Sequence, residues 1–155
     1  MTDDERYMRR ALDLAALGTG YTSPNPVVGA VIVHSGRIIG EGYHHRSGQP
    51  HAEVMAIRSV RERDLLPEST IYVTLEPCLM CAGLMVNARI DRCVYGAADP
   101  KGGALGSLYD LSRDGRLNHS FMLRSGVLAD EAARQLRDFF RERRAQRAPG
   151  APRDA

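Results

Sequence analysis

The sequence predicts a three-layer α/β/α domain built on a mixed sheet of about five strands. Two observations carry that reading. Segments with helical spacing alternate with short β-branched runs along the chain. The first two runs are joined by His34-Ser35-Gly36, a turn too short for a crossover. They therefore pair as an antiparallel hairpin, which makes the sheet mixed. A length of 155 residues suits one domain with a short tail, large enough to bury a core without disulfides.

The elements follow in order. Thr2-Asp3-Asp4-Glu5 fits a capping box. It opens a helix with Met8, Leu12 and Ala15 on one stripe, expected to end near Gly18 or Gly20. Thr22-Ser23-Pro24-Asn25-Pro26 is a loop by its proline content. Residues 28–33 read as a buried strand and 37–43 as its hairpin partner. Residues 43–50 are polar and irregular. Val54, Ile57 and Arg58 space residues 51–61 as a helix. Residues 71–75 form a short strand, 78–89 a helix and 91–96 another strand. The glycine-rich segment 99–107 loops, and 120–123 is the expected last strand. Residues 129 to about 144 form a long helix with Ala132, Leu136 and Phe139 or Phe140 on one stripe. The expected domain is 1–146, and 147–155 is expected to be a disordered tail.

Hydrophobic residues make up 43% and charged residues 26%, which sets the chain apart from disordered sequences. The longest apolar run, 27–33, is too short to cross a bilayer, so no membrane partner is expected. The first residues carry Asp3, Asp4 and Glu5 and no apolar leader segment, so the cytoplasm is the expected compartment. The net charge of +2 conceals an asymmetry: from Arg134 onward, 7 Arg face 3 acids. Such an end suits nucleic-acid phosphates and equally suits a solvated helix face.

The three cysteines are Cys78, Cys81 and Cys93. An odd count with one close pair points to metal or thiol chemistry, not to a disulfide scaffold. His51-Ala52-Glu53 precedes Pro77-Cys78-Leu79-Met80-Cys81, and one imidazole with two thiolates is a good zinc set. Cys78 and Cys81 stand three apart, on one face at a helix start marked by Pro77, where the dipole favours thiolates. Three protein ligands leave a coordination position open for water, the pattern of catalytic zinc. Glu53 is two residues from His51, so both reach one metal only if His51 sits at the helix entrance. Glu53 is then placed to take a proton from the water. A closed structural site would need Cys93 as fourth ligand, but Arg92-Cys93-Val94-Tyr95 reads as a strand interior.

The pattern H-x-E…P-C-x-x-C is the known signature of zinc nucleobase deaminases. With it in view, residues 70–144 resemble bacterial tRNA-specific adenosine deaminases of the cytidine/deoxycytidylate deaminase superfamily. The matching words are Tyr72-Val73-Thr74-Leu75-Glu76-Pro77-Cys78, Cys81-Ala82-Gly83, Gly106-Ser107-Leu108, Asn118-His119, Gly126-Val127-Leu128-Ala129-Asp130-Glu131 and Asp138-Phe139-Phe140-Arg141. The first half instead resembles the pyrimidine deaminase of riboflavin synthesis, through Ser23-Pro24-Asn25-Pro26, Gly40-Glu41-Gly42-Tyr43-His44 and Gly48-Gln49-Pro50-His51-Ala52-Glu53. His44 stands where the tRNA enzymes usually carry an Asn that contacts the nucleoside. The riboflavin enzymes space their zinc cysteines more widely and usually carry a reductase domain.

The resemblance implies a cytidine-deaminase-like fold, one Zn2+ per subunit and a homodimer. It implies that activated water attacks the carbon bearing the exocyclic amine, with Glu53 protonating the ring nitrogen and then the leaving ammonia. Ala52, Asn25 and His44 would orient the base. Asp99, Lys101, Asn118 and His119 would lie near the anticodon nucleotides, and Arg141, Arg143 and Arg144 would meet phosphates of the anticodon stem-loop. The implied reaction is conversion of a tRNA wobble adenosine to inosine. Two alternatives stand beside it: deamination of a small nucleobase, nucleoside or riboflavin-pathway pyrimidine, and a zinc-stabilised RNA-binding module without catalysis.

Overall fold

A capping box starts helix α1 (Asp3–Ala16), as the first residues predict. The Thr2 hydroxyl accepts from the Glu5 N–H, and the Glu5 carboxylate accepts from the Thr2 N–H. The computed structural model describes residues 1–146, so the expected tail at 147–155 lies outside the described residues. The hairpin follows as β1 (Gly29–His34) and β2 (Arg37–Tyr43). Its turn places Ser35 and Gly36 at positive φ, 48° and 75°, the primed geometry that matches strand twist. Then come α2 (Ala52–Ser59), β3 (Thr70–Leu75), α3 (Leu79–Ala88), β4 (Arg92–Ala97), β5 (Met122–Arg124) and α4 (Ala129–Gln146).

The five strands form one sheet in the order β2-β1-β3-β4-β5. β1 runs antiparallel to both β2 and β3, while β3, β4 and β5 are mutually parallel. Strand alternation then divides the core in two. Ala30, Ile32, Ile71, Val73, Cys93 and Tyr95 face α2 and α3. Val31, Val33, Tyr72 and Val94 face α1, and Ala97 meets α4 at Ala132. The result is the expected three-layer α/β/α sandwich, with α2 and α3 in one layer and α1 and α4 in the other. This mixed sheet sets the N-termini of α2 and α3 at one end of the parallel strands.

Two glycines hold α2 close to the hairpin. A Cβ on Gly40 would lie 2.7 Å from the Ala56 carbonyl, and one on Gly42 would lie 2.4 Å from the Ala56 nitrogen. Only a bare backbone lets α2 approach this near.

Two details depart from expectation and a third settles an open alternative. The segment before β3 is a 3-10 helix, Arg63–Glu68, and Leu111–Arg113 is a second one. Neither has a clear hydrophobic period from which to be read. The last strand is Met122–Arg124, shifted from 120–123, because Phe121 turns into the core ahead of it while Met122 stays exposed. On α4 the buried aromatic is Phe139, packed on Ala15 and Val27, and Phe140 is exposed.

Candidate active site

Two helix N-termini meet at the end of β3. His51 is the N-cap of α2, with extended backbone (φ −64°, ψ 160°). Cys78 is the N-cap of α3, and Cys81 lies in its first turn. His51 Nδ1 is 3.7 Å from Cys78 Sγ and 3.5 Å from Cys81 Sγ. The three donor atoms lie within 4.8 Å of one another. Zinc bonds of about 2.3 Å to sulfur and 2.1 Å to nitrogen, at a tetrahedral angle, give an S···N edge of about 3.6 Å. The observed spacings match that edge, so the residues present fit the ion.

The thiols are unlike. The Cys78 thiol is pulled down to about 5, first by hydrogen bonding from the Cys81 thiol, then by the Cys81 N–H, the nearby His51 and the Met80 N–H. The donors at this helix start are those a thiolate ligand needs. Cys81, next to Cys78 and buried, is pushed up. Cys93 is fully buried on β4 in the core facing α2 and α3. It is not part of the metal-competent group among the described residues, so the donor set is His-Cys-Cys.

Because His51 is still extended, Glu53 faces the same cavity one half-turn later. Both line a recess of about 170 Å3 with Ala52, Cys78, Asn25 and His44. Glu53 is 4% exposed. Burial pushes its carboxyl up, and the charge of Cys78 adds to that.

The opposite wall rests on His44, which is 4% exposed and not an open loop residue. Its Nδ1 donates to the Pro50 carbonyl at 3.1 Å, and its Nε2 accepts from Asn25 Nδ2 at 3.3 Å. Those partners fix the ring with its proton on Nδ1.

The remaining expected residues fall into two groups. Asp99 lines the cavity, and its carboxylate accepts from the Lys101 and Gly102 N–H groups in a turn. Lys101 is exposed on that turn. Asn118 and His119 do not line the cavity. The Asn118 carbonyl oxygen accepts from Arg89 at 2.9 Å, and His119 Nε2 donates to the Ile90 carbonyl at 2.7 Å. On α4, Arg141 pairs loosely with Asp138 and Arg144 is exposed. Arg143 donates to the Pro24 carbonyl at 3.1 Å, against the loop that carries Asn25.

One charged cavity residue escaped the sequence reading. Glu76 is 2% exposed and lines the recess beside Leu75. Burial alone would raise its carboxyl. The Ser107 hydroxyl and the N–H groups of Asp99, Ser107 and Leu105 outweigh that and hold it below the usual range. The signal for it was an acid at the end of a buried strand, directly before Pro77-Cys78.

The profile of the cytidine and deoxycytidylate deaminase zinc-binding region matches residues 1–97. The chain belongs to that deaminase family. Family membership and the His-Cys-Cys group together make it a zinc enzyme with one ion per subunit. It is 44% identical to the tRNA-specific adenosine deaminase of Haemophilus influenzae, over 93% of this chain and 87% of that protein. A solved tRNA A34 deaminase, from work on A-to-I editing at the wobble position, superposes with a TM-score of 0.71 at 36% identity. That alignment covers 84% of this chain and 99% of the other. The deaminase/reductase of Thermotoga maritima, acting on a phosphoribosylaminopyrimidine by its description, gives a TM-score of 0.75 at 40% identity. This deaminase chain spans 89% of itself there but only 40% of the bifunctional protein. Among the described residues, no helix is long and apolar enough to cross a membrane.

Proposed function

We propose that this deaminase converts adenosine to inosine at the wobble position of tRNA. The observation that carries the reading is the near end-to-end match to tRNA deaminases, which continues past the zinc region through α4. His51, Cys78 and Cys81 hold the zinc in this reading. When bound, the ion supplies a Lewis acid that brings the pKa of water toward about 7.

Glu53 does the proton work. Its carboxylate accepts a proton from the attacking water and delivers it to the ring nitrogen beside the amine-bearing carbon. Glu53 then takes the remaining proton from the hydroxyl that the water leaves on that carbon and passes it to the departing nitrogen. The water oxygen adds to that carbon, the carbon–nitrogen bond breaks, and ammonia leaves. A carboxyl raised by burial is suited to both directions of transfer. A pure RNA-binding module would have no use for such a group, since an unpaired buried carboxylate costs stability.

Ala52, Asn25 and His44 orient the base, with the imidazole ring and the Asn25 amide forming one wall. Asp99 and Lys101 border the flipped nucleotide, while Asn118 and His119 lie toward its neighbours. Arg141, Arg143 and Arg144 meet phosphates of the stem, Arg143 while also holding the Pro24 carbonyl. An anticodon loop presents its base at a lower unstacking cost than a duplex. The same reading places the enzyme in the cytoplasm, with tRNA. It also makes it a homodimer, for Leu79, Met80, Leu108 and Tyr109 expose apolar surface around the α3 start.

A second reading is favoured by one observation. His44 sits buried in the base-binding wall, as part of a half that resembles riboflavin-type deaminases. A small pyrimidine would then be the substrate. Incubating the purified protein with an anticodon stem-loop and with free bases and nucleosides separates the two. The wobble reading expects inosine in the stem-loop; turnover of a free base with an unchanged stem-loop overturns it.

A further inference from the structure

We propose that Glu76 is a positioning residue for deamination, setting the Asp99 side of the cavity by clamping the loop at 99–107. The inference rests on the deaminase reading of the site. The two oxygens of Glu76 divide the loop between them. Oε1 accepts from the Asp99 N–H at 3.1 Å and from the Ser107 hydroxyl. Oε2 accepts from the Leu105 N–H at 3.1 Å and the Ser107 N–H at 3.0 Å. A carboxylate is the one side chain of this size that accepts on both oxygens and donates on neither.

The loop has no strand or helix of its own to hold it over this stretch. Further ties come from Ala104 N–H to the Pro77 carbonyl at 2.9 Å and Tyr95 hydroxyl to the Leu105 carbonyl at 3.1 Å. Neither reaches Asp99, the loop residue that lines the cavity. Glu76 does, through the Asp99 N–H.

Gly103 reports the same clamp from the other side. A Cβ there would lie 2.2 Å from the Glu76 carboxyl carbon. Gly103 has no positive φ, so its backbone alone would tolerate alanine. The three atoms nearest such a Cβ all belong to the Glu76 carboxyl group. The end of a glutamate side chain normally moves aside cheaply, but here moving aside breaks four hydrogen bonds.

The test uses the zinc-loaded full chain with Glu76→Gln, Gly103→Ala, Glu76→Ala and the double variant Glu76→Ala/Gly103→Ala. Glutamine keeps the shape but points an NH2 at N–H donors. For Glu76→Gln, KM for the stem-loop should rise about tenfold while kcat stays within about twofold. Zinc per chain should be unchanged. Amide hydrogen exchange should quicken at Asp99, Leu105 and Ser107 and stay slow at 30–33. Gly103→Ala should act in the same direction, yet add nothing in the Glu76→Ala background, because the clash is gone. Additive effects, lost zinc, a fall in kcat at constant KM, or unchanged exchange at those three amides would each overturn the clamp. Gly103→Ala and the exchange measurement keep the proposal open to refutation if Glu76→Gln fails to fold. If the wild type deaminates a free base and not the stem-loop, the wobble reading fails. KM for that base and the exchange arm still judge Glu76.

Discussion

Two carboxylates are buried on opposite faces of one sheet, and their surroundings differ in kind. On the α1 face, Asp4 accepts from the Tyr72 hydroxyl at 2.7 Å, Arg92 at 2.7 Å and Arg124 at 2.6 Å. The Arg92 guanidinium, with Tyr72 and Arg124, holds its carboxyl well below the usual range despite burial. On the α2–α3 face, no Arg or Lys pairs with Glu53 among the described residues, and burial pushes its carboxyl up. A paired carboxylate has a fixed charge and serves the fold. Burial of Glu53 with no cation beside it favours the protonated form, the disposition that acid–base chemistry uses.

The largest effect should come from removing the proton carrier. Glu53→Gln should lower deamination by about 10³-fold or more, the range general acid–base groups contribute. Zinc content should not change. Thermal stability should stay level or rise, since an unfavourably buried acid becomes a neutral amide. Metal analysis, inosine formation and a melting curve read all three. A clear loss of stability would place Glu53 with Asp4 and dissolve the contrast.

Asp4→Asn should do the reverse. Breaking a buried ion cluster leaves Arg92 partly uncompensated and should cost about 2–3 kcal/mol of stability. kcat and KM should stay near the wild-type values. The pH dependence follows from the direction of the shift. The folded carboxyl titrates below its unfolded value of about 3.9, so its stabilisation is complete above that pH. It is lost as pH falls through the lower, folded value. Denaturant midpoints measured from pH 6 downward should therefore fall for the wild type and fall less for Asp4→Asn. Parallel curves would mean that Asp4 contributes nothing to the acid limb.

What could be read in advance divides along the same line. The capping box, the hairpin turn and the Cys78–Cys81 pair are local, and each was legible because its partners stand within a few residues; His51, 27 residues before Cys78, was legible from the signature it completes. The helix-entrance position of His51 followed from a single geometric demand, that Glu53 share its cavity. The clusters around Asp4 and Glu76 were not legible. Asp4 meets Arg92 and Arg124 across 88 and 120 residues, and Glu76 meets backbone N–H groups that any residue type could supply. The place of His44 in the base wall came from the resemblance alone, because Pro50 and Asn25, which hold its ring, are brought to it only by the fold. The strand at Met122–Arg124 was misplaced because it is an edge strand of three residues with little alternation to read.

The smallest effect sharpens the contrast within one helix. Arg141, Arg143 and Arg144 lie within four residues of each other, yet they are not equivalent. Arg143 donates to the Pro24 carbonyl and so braces the loop bearing Asn25. Arg144 and Arg141 point to solvent, with only Asp138 near Arg141 at 3.7 Å. If those two meet phosphates, Arg141→Ala with Arg144→Ala should reduce the slope of log K against log salt for the stem-loop by about 1.5. Melting temperature and turnover of saturating substrate should not move. Arg143→Ala should instead lower stability by about 1 kcal/mol and raise KM, because its loss frees the Asn25 wall before it removes any phosphate contact. Salt titrations of binding for both variants decide the matter. An unchanged slope in the double variant would remove α4 from the RNA surface and leave its arginines as solvated charge.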